Sequence, residues 1–159
     1  APAPSDWRIA RDARVRSALV GMGFSEAISF GFIEEAAAAP FLNGTEPVAL
    51  ANPLNEKFAV MRPSLLPGLI DALSHNRRHG LRDARLFEIG TRFAPSGESR
   101  GAALAWTGLA TPDHWISGRR EVTFFDIPAL SRSPGRATTT GSCRDSKRLA
   151  RRSRAGRGG

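Results

Sequence analysis

"ARLFEIGTRFAPSGESRGAALAWTGLA", residues 84–110, decides the fold. Two runs with strand-like content, ARLFEIGTRF and GAALAWTGLA, stand on either side of Pro95–Gly97, residue types that reverse a chain. A third run, VTFFDI at 122–127, follows the turn-forming segment Thr111–Gly118. Strands joined by connections of hairpin length pair antiparallel. The helical patterns, by contrast, come mainly before residue 80. Helices early and strands late favour α+β over a doubly wound fold, and the expected architecture is an antiparallel β-sheet flanked by helices.

Upstream of the hairpin, "MRPSLLPGLIDALSHNRRHG" (61–80) places Leu65, Leu66, Leu69, Ile70 and Leu73 on one helical stripe. Pro67 suits the first turn, the basic Arg77, Arg78 and His79 suit the last, and Gly80 can cap the end. Trp7 to Met22 forms a second amphipathic helix through Ile9, Val15, Ala18, Leu19 and Met22, with Gly21 and Gly23 available to stop it. In "SEAISFGFI" (25–33), Ala27, Ser29 and Gly31 alternate with Ile28, Phe30 and Phe32, the period of a strand with one face on a core. "EEAAAAPF" predicts a short helix broken at Pro40, "NGTEP" a turn, and "VALAN" a short strand ending before Pro53.

The charge is unevenly distributed. The chain of 159 residues carries a formal net charge of +8, yet residues 1–130 hold 14 basic and 14 acidic side chains. The surplus therefore sits in residues 131–159, with 9 basic residues and a single acid, Asp145. That segment has too little apolar surface to offset the backbone entropy of folding, about 1–2 kcal/mol per residue, and is predicted to be disordered. The expected organisation is a linker at 1–7, a core domain at 8–130 and a basic tail at 131–159. The single cysteine, Cys143, excludes an internal disulfide and favours a reducing compartment. No run of 18 apolar residues and no signal-peptide pattern is present, so the expected setting is cytoplasmic and away from membranes. A start without Met and with a Pro/Ala-rich opening suggests a piece of a longer protein.

Residue chemistry points to no active site. His75 and His79 are one helical turn apart, but no cysteine or nearby carboxylate completes a zinc set, so no metal site is assigned. "GMGFSE" lacks a third glycine and follows a helix, which fails the context of a dinucleotide fingerprint. No serine or cysteine has the histidine and acid order of a nucleophilic triad. "NRRHGLRDAR" is a basic run that suits either phosphate contact or a solvated helix end.

Four collinear stretches nevertheless resemble one family: "VRSALVGMGFSEAISFGFI", "LANPLNEKFAVMRPSLLPGLIDAL", "ARLFEIGTRFAP" and "EVTFFDI". Their order and spacing are similar to the core module of the bacterial phenylalanyl-tRNA synthetase beta subunit, over roughly residues 8–127. The resemblance implies a class II synthetase-like, truncated sheet in a subunit that has lost catalysis. In the catalytic alpha subunit the matching strand ends in a Gly-Arg-x-Tyr-Arg signature whose last arginine holds the ATP α-phosphate. A phosphate in a dry site needs such a fixed guanidinium. With Gly90 on that glycine, Ala94 stands where the arginine belongs, and the offset of Arg92 is expected to turn it to the opposite face. ATP and magnesium then belong to the parent complex, with no cofactor in this chain.

The resemblance further implies that the helix and strand over 8–33 form a dimerisation element, with Val15, Leu19, Met22 and Phe24 as candidate contacts for the alpha subunit. The same stripe serves equally to close the domain's own core. The expected role is a non-catalytic, subunit-assembly module of a ligase that acts on tRNA. The alternative is a nucleic-acid-binding module working through the basic tail and the Arg77 to Arg85 run, and an uncovered sheet edge would promote self-association.

After "FFDI" the family pattern gives way to Arg, Gly, Ser, Ala and Thr, residues with GC-rich codons. The expectation is that a reading-frame shift near Ile127 or Pro128 produced this break. Sequencing the encoding DNA should reveal another frame that continues with Lys-Gly and a helical pattern; without one, the shift did not occur.

Overall fold

A computed structural model describes residues 6–53, 55–111, 119–123 and 126. The chain divides after Glu121, and the architecture below is that of the first unit. In the second unit, the Asp126 carboxylate accepts hydrogen bonds from the backbone N and Oγ1 of Thr123, at 2.8 and 2.9 Å. Of the expected strand at 122–127, Val122, Thr123 and Asp126 are described and none of the three lies in a strand; residues 124, 125 and 127, with the break near 127, and the whole of 131–159 with Cys143 lie outside the described residues.

Helix α1 spans Trp7–Gly21, and Asp6 caps it by accepting from Arg8 N at 2.9 Å. It ends as the sequence suggests, with Gly23 in the left-handed region at φ 82°. Gly23 N donates to Val20 O at 2.9 Å and Phe24 N to Leu19 O at 3.0 Å, the paired bonds of a Schellman stop. That stop brings the buried Leu19 and Phe24 together.

Strand β1 is Ser25–Glu26 and β2 is Phe32–Ile33. A short helix α2, Glu35–Ala38, passes into a 3₁₀ turn at Ala39–Phe41 where Pro40 intervenes. Strand β3 is Val60–Met61, while the expected strand at 48–52 contributes only a bridge from Ala49 to Val60. Helix α3 runs Leu66–Arg78 with Pro67 in its first turn, and Gly80 at φ 86° ends it as predicted.

The long hairpin forms as predicted. Strands β4, Ala84–Ala94, and β5, Gly97–Thr107, pair antiparallel along their whole length from Ala84↔Thr107 to Ala94↔Gly97. The α+β class with a helix-flanked sheet is thus borne out, with one difference. Strand β1 joins β4 in parallel, through Ser25↔Leu86 and Glu26↔Phe87, giving the order β1-β4-β5. The connection from 27 to 83 is long enough for the crossover that parallel pairing requires.

Alternation along β4 separates two faces. Glu88 and Gly90 share one with α3, where Gly68 lies against Ser29 and Glu88. On the other, Trp106 stands opposite Arg85 and meets Phe24 edge to face with ring centroids 5.8 Å apart. There too Arg100, opposite Thr91, reaches Asp12 of α1. Phe87 and Leu69 are fully buried and anchor the core.

The segment 25–33 departs most from expectation. It is one alternating run in the sequence but two strands in the structure, β1 in the three-stranded sheet and β2 paired antiparallel with β3 through Phe32↔Met61. Between them the alternation survives with its sense reversed. Ser29 turns inward to Glu88, while Ile28 is 92% and Phe30 66% exposed. An inward carboxylate and guanidinium need polar partners, and Ser29 supplies them where an apolar side chain has nothing to donate or accept.

Candidate functional site

Three of the four stretches quoted above meet at one point. Met61 ends β3 and delivers Arg62, Glu88 sits mid-β4, and Ser29 comes from the link between β1 and β2. Arg62 and Glu88 are 6% and 3% exposed. Arg62 Nη1 donates to Glu88 Oε1 at 2.6 Å and to Ser29 Oγ at 3.0 Å, and Arg62 Nε donates to Thr91 O at 2.8 Å. Ser29 Oγ donates to Glu88 Oε2 at 2.7 Å, and Ser29 N reaches Oε1 at 3.3 Å. Backbone bonds brace the arginine, with Arg62 N donating to Gly31 O and Phe93 N to Arg62 O, both at 2.9 Å.

Burying two charges costs several kcal/mol each unless every donor and acceptor finds a partner. Here they do: among the described residues no buried side-chain nitrogen or oxygen lacks one. Two glycines make the space. A Cβ at Gly90 would strike Arg62 Nη2, and one at Gly68 would strike Ser29 Oγ. The "GL" of MRPSLLPGL and the "G" of LFEIG are therefore steric requirements of the ion pair. The cluster is a structural tie: its carboxylate is fully engaged, its serine hydroxyl is committed to that carboxylate, and no histidine among the described residues is bonded to it.

Ala94 ends β4 opposite Gly97 and is exposed. The expectation for Arg92 needs correcting. It is two residues from Ala94, so strand periodicity puts both on the same face. Its Nε is held at 2.7 Å by Ser99 Oγ across the hairpin. The hollow beside Ala94, about 330 Å³, is lined by Glu46 and Glu98 as well as Arg92, a poor setting for a phosphate.

The four candidate contact residues separate. Leu19 and Phe24 are buried in the chain's own core, because the Schellman stop packs them together; Val15 is half-buried, and Met22 is exposed. Sequence reasoning passed over the larger apolar surface. Phe30, Phe32 and Phe58 form a ring cluster with centroids 5.4–5.7 Å apart, and Ile28 projects nearby in sequence. The only signal was the alternation at 27–32, which marks two different faces without saying which is buried.

The basic run also divides. Arg77, Arg78 and Arg82 are exposed, whereas Arg85 packs its guanidinium 4.3 Å from the Trp106 ring centroid and donates to Ala110 O at 3.1 Å. His75 and His79 stack at 4.2 Å on the end of α3.

A model of the phenylalanyl-tRNA synthetase beta chain CLM domain matches residues 2–137. The chain belongs to this beta-chain family. It is 40% identical over 119 residues to the phenylalanine–tRNA ligase beta subunit of Pseudomonas putida, covering 72% of this chain and 15% of that protein. The subunit of Novosphingobium aromaticivorans is also 40% identical, over 69% of this chain and 14% of its own length. The chain thus spans about 15% of the curated relatives it matches. Among solved structures, a pyrrolysyl-tRNA synthetase from Desulfitobacterium hafniense superposes with a TM-score of 0.52 at 23% identity, covering 65% of this chain and 38% of that one. That likeness establishes a class II synthetase-like fold for this beta-chain module.

One further tie fastens α1 to the hairpin. The Asp12 carboxylate accepts from Arg100 Nε at 2.5 Å and from Arg11 Nη2 at 3.0 Å. Burial alone would raise its pKa, but the hydrogen bonds and charges of Arg100 and Arg11 outweigh burial and hold it below the usual value. A carboxyl depressed in the folded state stabilises fully above its unfolded pKa, and that contribution is lost as pH falls through the folded one. Urea unfolding should therefore show this increment at pH 7 and its loss below about pH 4, with the Asp12→Asn protein flatter across that range. Equal pH dependence in both proteins would remove the tie from the stability account.

Proposed function

We propose that this chain is a non-catalytic structural and subunit-assembly module of phenylalanine–tRNA ligase, supporting the catalytic alpha subunit. The observation that carries the reading is the reversed alternation at 27–31. Ser29 is drawn inward by the ion pair, and Ile28 and Phe30 are turned outward beside Phe32 and Phe58. Exposed apolar surface of this kind at a fixed position is what a partner subunit covers. The partner in this reading is the alpha subunit. Met22 supplies further exposed apolar area, while Leu19 and Phe24 act by holding α1 in place.

Ala94 supports the non-catalytic half. It offers no charge to an α-phosphate, and Arg92 on the same face is tied to Ser99. ATP, magnesium and tRNA are accordingly assigned to the parent complex in the cytoplasm. Its reaction would take place on the alpha subunit.

Co-elution with the alpha subunit on size exclusion tests the reading. The chain should co-elute, and Ile28→Glu with Phe30→Glu should abolish this while leaving the far-UV spectrum unchanged, since neither side chain is in the core. ATP–pyrophosphate exchange by the chain alone should be absent. Undiminished co-elution of the double variant, or exchange activity without the alpha subunit, would sink the proposal.

A further inference from the structure

A second surface lies apart from the ion pair and from the Phe30 cluster. Trp7, Arg8, Arg11, Thr91, Glu98, Ser99 and Arg100 line a hollow of about 300 Å³ between the start of α1 and the far end of the β4–β5 hairpin. Trp7 is 65% exposed and contributes little to the core. Its ring lies 5.9 Å from the Arg8 guanidinium carbon and 5.3 Å from that of Arg11, within cation–π range.

Two of the arginines are fixed before any ligand arrives. Asp12, itself buried, receives Arg11 through Nε and Nη2 at 3.2 and 3.0 Å and Arg100 through Nε at 2.5 Å. One carboxylate thus orients two guanidiniums, leaving a positive excess and most of their donors unused among the described residues. Arg8 adds a third cation and Glu98 a single opposing carboxylate. Held guanidiniums recognise phosphate oxygens by charge-assisted hydrogen bonds, and an exposed indole offers a face to a flat heterocycle.

We propose that this hollow binds a nucleotide unit, with the phosphate on Arg11, Arg100 and Arg8 and the base against Trp7. The unit is either free or part of a single-stranded RNA. The site is separate from the proposed subunit contact and does not depend on it.

Binding of a fluorescein-labelled single-stranded RNA octamer to the full 159-residue chain tests the assignment, read by anisotropy with AMP as competitor. Trp7→Ala and Arg8→Ala remove exposed side chains, so both variants should fold, and the basic residues 131–159 remain common to every protein compared. Loss of stacking in Trp7→Ala should weaken binding at least fivefold. Arg8→Ala should weaken it and lower the slope of log K against log salt by about 0.7, one phosphate contact. Glu98→Gln should tighten it by removing the opposing charge. Displacement by AMP assigns the site to free nucleotide as well, and failure of AMP with retained RNA binding assigns it to the strand. RNA and AMP affinities identical in wild type and Trp7→Ala would overturn the proposal, as would no measurable binding of either.

Discussion

The fold turns on a buried salt bridge. Arg62 and Glu88 are held 2.6 Å apart, and the elements that deliver them, β3 and β4, belong to different sheets. A pair of this kind adds little net stability compared with apolar packing, but removing one partner leaves an uncompensated charge. Its main effect is therefore selective. Only arrangements in which Ser29, Gly68 and Gly90 surround the pair keep it satisfied, and those residues come from three separate parts of the chain.

The consequence appears at the surface. Ser29 can reach Glu88 only if the run 27–31 presents its small and polar side inward, and the strand period then forces Ile28 and Phe30 outward. Polar burial and apolar exposure are two sides of one constraint. The isolated chain thus carries an apolar face that its own core does not use. The hairpin, by comparison, hides its apolar residues in the ordinary way, with Phe87 fully buried.

Much of this was legible in the sequence. The hairpin around Pro95–Gly97, the Pro67 start and Gly80 stop of α3, and the Gly23 stop of α1 follow from local rules and form as read. The family resemblance rested on motifs whose residues prove to be the ion pair and the glycines that make room for it. What was not legible depends on contacts distant in sequence. The inward turn of Ser29 is set by a carboxylate 59 positions away, and the Asp12–Arg100 tie joins residues 88 apart. Neither leaves a periodic signal. The parallel placement of β1 escaped notice for the same reason, since two residues pair across a long crossover. At the candidate site, the resemblance directed attention to Ala94, which the structure places at the exposed end of β4 opposite Gly97. The outward aromatic face was not legible, because alternation reports that two faces differ and not which is buried.

The most direct test of the central claim is a double-mutant cycle on Arg62→Met and Glu88→Leu, followed by urea unfolding. If the pair dictates the arrangement, each single change should cost roughly 3–5 kcal/mol by stranding the other charge. The double variant should then be far less destabilised than the sum of the two, with a coupling energy above about 2 kcal/mol. Additive losses, with coupling near zero, would mean that Arg62 and Glu88 act independently and that the fold does not turn on their contact.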